Sequence, residues 1–497
     1  MKQQHYLYIP GRKTLLSLFL CLAVLASFGG IALAASMPGE SSAEEQEASA
    51  SVQDSSEENL PAYSITLADG GASSDCGSVR IDGSRITITE AGDYTLSGSL
   101  SDGQLVVSTD KESRVQLRLN GVSISSASSA ALYVISAERV VIVLEDGTEN
   151  SLSSTGSFVQ TDDNNVDGAI FSKDDMTIKG SGTLNVFCAE GHGIVGKDDL
   201  KIKSGEIHVS SAKKSISAND TLEIADGSLS ISAGTEGLEA TEVMIAGGEL
   251  DITAKDDGIN ASDGSGNSSA PFGQMGGSTA AACSVTISGG TVRIDAEGDA
   301  IDANGSLTVS GGTVLISGPV NRGNGALDYD ADGIITGGTV IAVDSSGMGL
   351  NFRTAENQGS ILHTFRSVQS AGTEITLKDA SGTVLASFTP EKSFQTVVIS
   401  TPAIQQGQTY TLSAGAESVE ITMNSLLYGG GMGGFGAHGG MGTGMMPQSG
   451  GQNFGNGMQS FGGNGSLEGM TPSEGGQGFG RNGGLPSGGR GGFGQQG

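Results

Sequence analysis

"SVTISGGTVRIDAEGDAIDANGSLTVSGGTVLIS" (residues 284–317) contains nearly the same phrase twice. Val285/Ile287, Val292/Ile294 and Ile301 alternate with polar residues, and Leu307/Val309 and Val314/Ile316 repeat the pattern. Alternation with period two puts one side chain in and the next out, which is a strand with one buried face. The same unit is legible upstream in "DLKIKSGEIHVSSAKKSISAN", "TLEIADGSLSISAGTEGLEAT" and "VMIAGGELDITAKDDGINAS". Its turn glycines Gly205, Gly227, Gly248, Gly290, Gly312 and Gly338 recur at about 22 residues once the insertion at 264–282 is removed.

Three short strands per 22 residues predict a parallel β-helix, one coil per repeat. No unit has room for a crossover helix, and leucine-rich repeats would need a fixed asparagine that is missing. A β-propeller needs about 40 residues and four strands per blade. The fold class expected is therefore all-β, a right-handed single-stranded parallel β-helix over 61–357, its hand following the rule for parallel crossovers. Ile194, Ile216, Leu238, Ile259, Ile301 and Leu327 should form one interior ladder. Ile207, Leu229, Leu250, Val292 and Val314 should form another. Residues 358–428 still alternate but lose the period, which suggests a C-terminal β cap.

The flanks differ in kind. Residues 1–35 carry Lys2, Arg12 and Lys13, then an apolar run, then Ala32-Leu33-Ala34, the pattern of a cleaved export signal. A retained membrane anchor is the alternative, weakened by Gly29-Gly30. Residues 36–60 are acidic and without apolar period, a solvated linker. Residues 429–497 are Gly-rich and cannot bury a core, so a disordered tail is expected. The expected location is outside the cell or on its surface.

Formal charge is −30, and loss of the three signal cations makes it −33. Nucleic acid and, after cleavage, membrane are disfavoured as partners, because both require clustered Lys and Arg. Tryptophan is absent and aromatics are 5%, so a flat aromatic platform is not expected. The five histidines are scattered, and Cys76, Cys188 and Cys283 have no zinc spacing.

The acids stack. Glu239, Asn260, Asp302 and Asp328 each follow the inward residue of the third strand by one position and should form an outward column facing solvent. Glu236, Asp257 and Asp299 form a second column at the preceding turn, and Asp330 extends the set. Carboxylates stacked at about 4.8 Å repel unless a cation lies between them. All-oxygen ligands from several strands suit Ca²⁺ rather than Zn²⁺, so calcium is the expected cofactor. A solvated acidic face with aspartate turns is the alternative. For Asp174, Asp198 and Asp220 a structural turn role is expected.

The runs "AIFSKDDMTIKGSGTLNV", "GIVGKDDLKIKSGEIHV", "AKDDGINASDG" and the upstream "ITEAGDYTLSGSLSDGQLVV", "LNGVSI" and "LEDGTENSL" resemble a family of secreted bacterial carbohydrate-binding proteins with a pectate-lyase-like parallel β-helix. The resemblance covers about 79–425. It implies binding of plant or microbial polysaccharide, including cellulose and acidic sugars, with calcium and without established catalysis. No sugar-contacting residue is carried over from it. The expected function is calcium-dependent binding of an extracellular, uronate-bearing polysaccharide. Two alternatives stand beside it: a calcium-dependent polysaccharide lyase, and a passive surface or adhesive protein. A lyase needs a base beside the metal; Arg322 and Arg353 are near the acids, and arginine is a poor base. Lys213 and Lys214 should lie farther up the helix.

Overall fold

Each of the turn glycines that punctuate the repeat has positive φ, from +76° at Gly312 to +120° at Gly205. At Gly290 (φ +78°) a Cβ would also stand 2.7 Å from the Gly248 carbonyl oxygen of the coil before. Only glycine tolerates both the left-handed backbone and that approach. The turn is thus set by the residue, and it bends the chain from the first strand of a coil into the second.

The computed structural model describes residues 60–264, 283–321, 323–345 and 348–430. The expected export signal, most of the acidic linker, the insertion and the Gly-rich tail lie outside them. The described residues are all strand and turn, with no α-helix. Strands pair in parallel with the strand one repeat later, an arrangement consistent with a parallel β-helix.

Three stacks result. Leu200–Ile202, Thr221–Ile224, Glu242–Ile245 and Ser284–Ile287 are first strands. Glu206–Ser211, Ser228–Ala233, Glu249–Ala254 and Thr291–Ala296 are second strands. His192–Gly196, Ile216–Ala218, Leu238–Ala240, Ile259–Ala261, Ile301–Ala303 and Leu327–Tyr329 are third strands. In the third stack Ile194 pairs with Ile216, then Leu238, Ile259, Ile301 and Leu327 in turn. In the second, Ile207, Leu229, Leu250, Val292 and Val314 are successive partners. Both ladders are buried and belong to one continuous core running from Ile65 to Val398. Cys188 and Cys283 fill it as small apolar residues.

The third-strand stack continues upstream through Gly168–Ser172, Leu132–Ser136 and Gln104–Ser108. There the outward residues are Val106, Tyr133, Phe171 and Val195, buried under Phe158 and Val166. The segment that carries Phe158 and Val166 therefore roofs one end of this face.

At the other end the chain turns antiparallel. Phe394–Thr401 pairs with Gly333–Asp344, placing Ile399 on Ile341, and with Gly359–Gln369. A four-stranded antiparallel sheet, which includes Ile375–Asp379 and Thr409–Ala414, encloses a second apolar cluster around Phe365, Phe394 and Tyr410. An antiparallel strand laid on the last long strand occupies backbone groups that would otherwise template further pairing.

Candidate functional site: an acidic column on the third-strand face

Downstream of the roofed end, the outward residues of the third strands become polar. Ser217 pairs with Glu239, Glu239 with Asn260, Asn260 with Asp302, and Asp302 with Asp328. The turn before these strands forms a parallel column, since Gly237 N donates to Asp257 O, Gly258 N to Asp299 O and Ala300 N to Gly325 O. Lys214, Glu236, Asp257, Asp299 and Gly325 therefore succeed one another along the axis. Asp299 N also donates to Asp257 Oδ1 at 2.8 Å, and Gly325 N donates to Asp299 Oδ1.

One detail differs from the expectation. The column does not simply face solvent: Glu236, Glu239, Asp257, Asn260, Asp299 and Asp302 are half-buried, and only Asp328 and Asp330 are exposed. Coils stacked this closely cover one another's side chains. Lys214 lies farther up the helix, one coil before Glu236, yet its Nζ is in ion-pair contact with Glu239 Oε2, though without hydrogen-bond geometry.

The electrostatics follow from that crowding. Burial, then the neighbouring Asp256, Asp302 and Asp299, push the Asp257 carboxyl up to about 8. Burial with Asp299, Asp328 and Asp330 takes Asp302 to about 7. Asp299 is raised to about 6 by burial and by Asp328, Asp256 and Asp344, against the Gly325 N–H that favours its charged form. Asp328 is raised by burial and Asp330, and Arg353 opposes this. Arg353 stacks 5.0 Å from the Tyr329 ring centroid and donates to the Ala331 and Asp330 carbonyls. Arg322 lies outside the described residues.

The column has the ligand type a hard cation takes, but among the described residues it does not gather three carboxylates within 4.8 Å of one another. It offers only oxygens, its carboxylates destabilise one another, and Glu236 Oε2 is buried without a hydrogen-bond partner. Glu236, Asp257, Asp299 and Asp302, with Glu239, Asn260, Asp328 and Asp330, are the residues that would hold it. Alternation along the sequence missed three members. Asp256 and Asp344 act on the column as charges, and Asn304 Nδ2 donates to the Ala261 carbonyl at 3.2 Å, with longer contacts to Asn260 and Asp302. Asp256, first of the "DDG" turn, could have been read from its position; Asp344 is supplied by a distant strand.

A second acid group lies elsewhere. Among the described residues, Asp175, Asp198 and Asp199 are the three acids whose carboxylate oxygens come within 4.8 Å of one another. Asp175 and Asp198 are both raised, by burial first and then by their acidic neighbours. Arg139 lies 3.7 Å from Asp175, and Thr221 N donates to Asp199, so this group has partners of its own. Asp174 is buried and accepts from Ala137 N while pairing with Lys111, a structural role.

Comparison with known proteins adds three findings. Residues 82–319 match the model of a family described as carbohydrate-binding domain-containing proteins. A protein of that same description from Acetivibrio thermocellus is 43% identical over 126 residues, 25% of this chain and 44% of that protein. The chain thus spans less than half the length of that relative. A solved structure, the polysaccharide lyase-like protein from C. thermocellum as its gadolinium derivative, is 28% identical. It covers 59% of this chain and 99% of its own, with a TM-score of 0.41. The matched stretch 82–319 contains the roofed end of the third-strand face and the acidic column as far as Asp302.

Proposed function

We propose that this protein is an exported polysaccharide-binding protein that holds acidic, uronate-bearing chains through calcium on the acidic column. The observation that carries the reading is the register itself. Hydrogen-bonded partners on successive coils place Glu239, Asn260, Asp302 and Asp328 in one line beside the Glu236–Asp257–Asp299 line. A chain at −30 repels a polyuronate, which slows encounter and costs affinity. Bound calcium reverses the local sign and accepts sugar carboxylates and hydroxyls as further oxygen ligands. The match of residues 82–319 to a carbohydrate-binding family supports the substrate class. The parallel β-helix hand, the cap role of 358–428 and export by residues 1–35 belong to the same proposal.

Metal and sugar are tested separately. Thermal unfolding with calcium and with chelator should show a higher melting temperature in calcium, by mass-action linkage. The Asp302→Ala, Asp328→Ala double variant should lose that response. A wild-type melting temperature indifferent to both additions would leave a solvated acidic face. Pull-down on insoluble glycans separates a binder from a passive spacer, which would retain nothing.

Lyase chemistry is the second reading, and one observation favours it: Lys214 puts an amine against the acidic column. Its ion pair with Glu239 commits that ammonium, so no bond cleavage is expected. Calcium-dependent release of unsaturated oligosaccharides from polygalacturonate would move the protein to the lyases.

A further inference from the structure

The edge of the solenoid that carries the acidic column holds a cavity of different character at its first coils. Leu105, Leu132, Ile170, Ile194, Ile216 and Leu238 are successive partners in the third-strand stack. The stack extends one coil earlier, where Arg85–Ile88 pairs in parallel with Gln104–Ser108. A cavity of about 320 Å³ opens at the turns before these first strands, and its walls include Ser84, Arg85, Asp102, Gln104, Ser128 and Thr161. From Leu105 to Leu238 the ladder takes five steps, about 24 Å at the usual strand spacing. The cavity is therefore separate from the acids that begin at Glu236.

Arg85 is anchored to the wall of this cavity by a neutral partner. One of its terminal nitrogens donates to Gln104 Oε1. Gln104 is buried, and its Nε2 donates to Ser129 Oγ and to the Ala130 carbonyl, both at 2.9 Å. Arg114, Arg118 and Arg139 pair with Glu138, Asp93 and Asp175, whereas among the described residues Arg85 forms no ion pair with a carboxylate. In a chain with 55 acidic and 25 basic residues, a half-buried guanidinium held by an amide alone keeps N–H donors for an anion. Asp102 on the rim gives Oδ1 to Ala127 N at 3.0 Å, which fixes that turn.

We propose that this cavity is a calcium-independent subsite for a sugar carboxylate, bound by Arg85. The remaining guanidinium donors suit the planar, bidentate carboxylate contact that a lone ammonium cannot make. Ser84, Ser128 and Thr161 supply hydroxyls for the sugar ring, and the second oxygen of Asp102 accepts from a ring hydroxyl. That carboxylate also repels a bare anion, so the site selects an acidic sugar over a simple carboxylate. The ligand's identity as a uronate rests on the function proposed above, whereas the anion site rests on the cavity and Arg85.

The test is titration calorimetry of the full chain with trigalacturonate in chelator, where the acidic column holds no calcium. The wild-type protein should bind it, cellotriose should give no heat, and equimolar acetate should not displace it. Arg85→Gln should weaken binding several-fold. Ser128→Trp fills the cavity from an exposed position and leaves Arg85 in place. It should weaken binding likewise, with an unchanged melting temperature. The Asp302→Ala, Asp328→Ala double variant should bind trigalacturonate in chelator as the wild type does.

Absence of wild-type binding in chelator, binding that persists in Arg85→Gln or in Ser128→Trp, equal heat from cellotriose, or displacement by acetate would each overturn the subsite. None of these results touches calcium-dependent retention of polygalacturonate, which tests the acidic column. Binding in chelator with no calcium-dependent retention would sustain the subsite and overturn the function proposed for the column.

Discussion

Asp257 and Ile259 are two residues apart and meet opposite environments. Ile259 is fully buried between Leu238 and Ile301, whereas Asn260 beside it points to the half-open column. Ile259→Ala should cost about 2–5 kcal/mol through the cavity it leaves. Asn260→Ala should cost far less, and equal losses in denaturant unfolding would mean that the inward and outward positions are reversed. Asp257 provides a pH test on chelated protein. Its folded pKa of about 8, with Asp302 at about 7 and Asp299 at about 6, exceeds the ordinary carboxylate value. Between the ordinary value and about 8 the folded state therefore holds protons that the unfolded state has released. Stability of the metal-free protein should fall as pH rises through that window, and saturating calcium should cancel the fall. A chelated melting temperature that rises steadily from pH 5 to 8 would contradict this account of the column.

At the scale of the coil, the strands were legible because alternation and the glycine period report directly on burial and turn geometry. Every partner in the Ile194–Leu327 ladder is a residue that pattern alone selects. The same pattern is silent where chemistry crosses coils. Lys214 does lie farther up the helix, one coil before Glu236, yet a lysine side chain is long enough to reach the neighbouring coil, where it meets Glu239. Half-burial of the acids was missed for a related reason: alternation tells in from out but says nothing of neighbours stacked along the axis. Asn304 was missed because it lies in a turn, where period two no longer applies. The turn itself yields a prediction. Gly290→Ala combines φ of +78° with a Cβ 2.7 Å from a backbone oxygen, so it should destabilise by more than about 1 kcal/mol. A neutral effect on thermal unfolding would show that the coils can shift to admit a methyl group.

Over the whole molecule, the surplus of acid and the length of the solenoid act together. The interior ladder holds the coils in register, and that register lines up Asp and Glu residues that are scattered in the sequence. Roofing by Phe158 and Val166 closes one end of the face, and Arg353 over Tyr329 marks the other. On the proposed function, a polyuronate between them would be repelled by the bare protein and attracted by the calcium-loaded one. Neutral glucan, with no charge to bridge, should depend on calcium much less. The most direct measurement is the dissociation constant for polygalacturonate, by titration calorimetry, in calcium and then in chelator. Chelation should weaken binding by at least about tenfold, or roughly 1.4 kcal/mol, and Asp302→Ala should weaken the calcium form. An equal affinity with and without calcium would contradict the bridging of polyuronate by calcium.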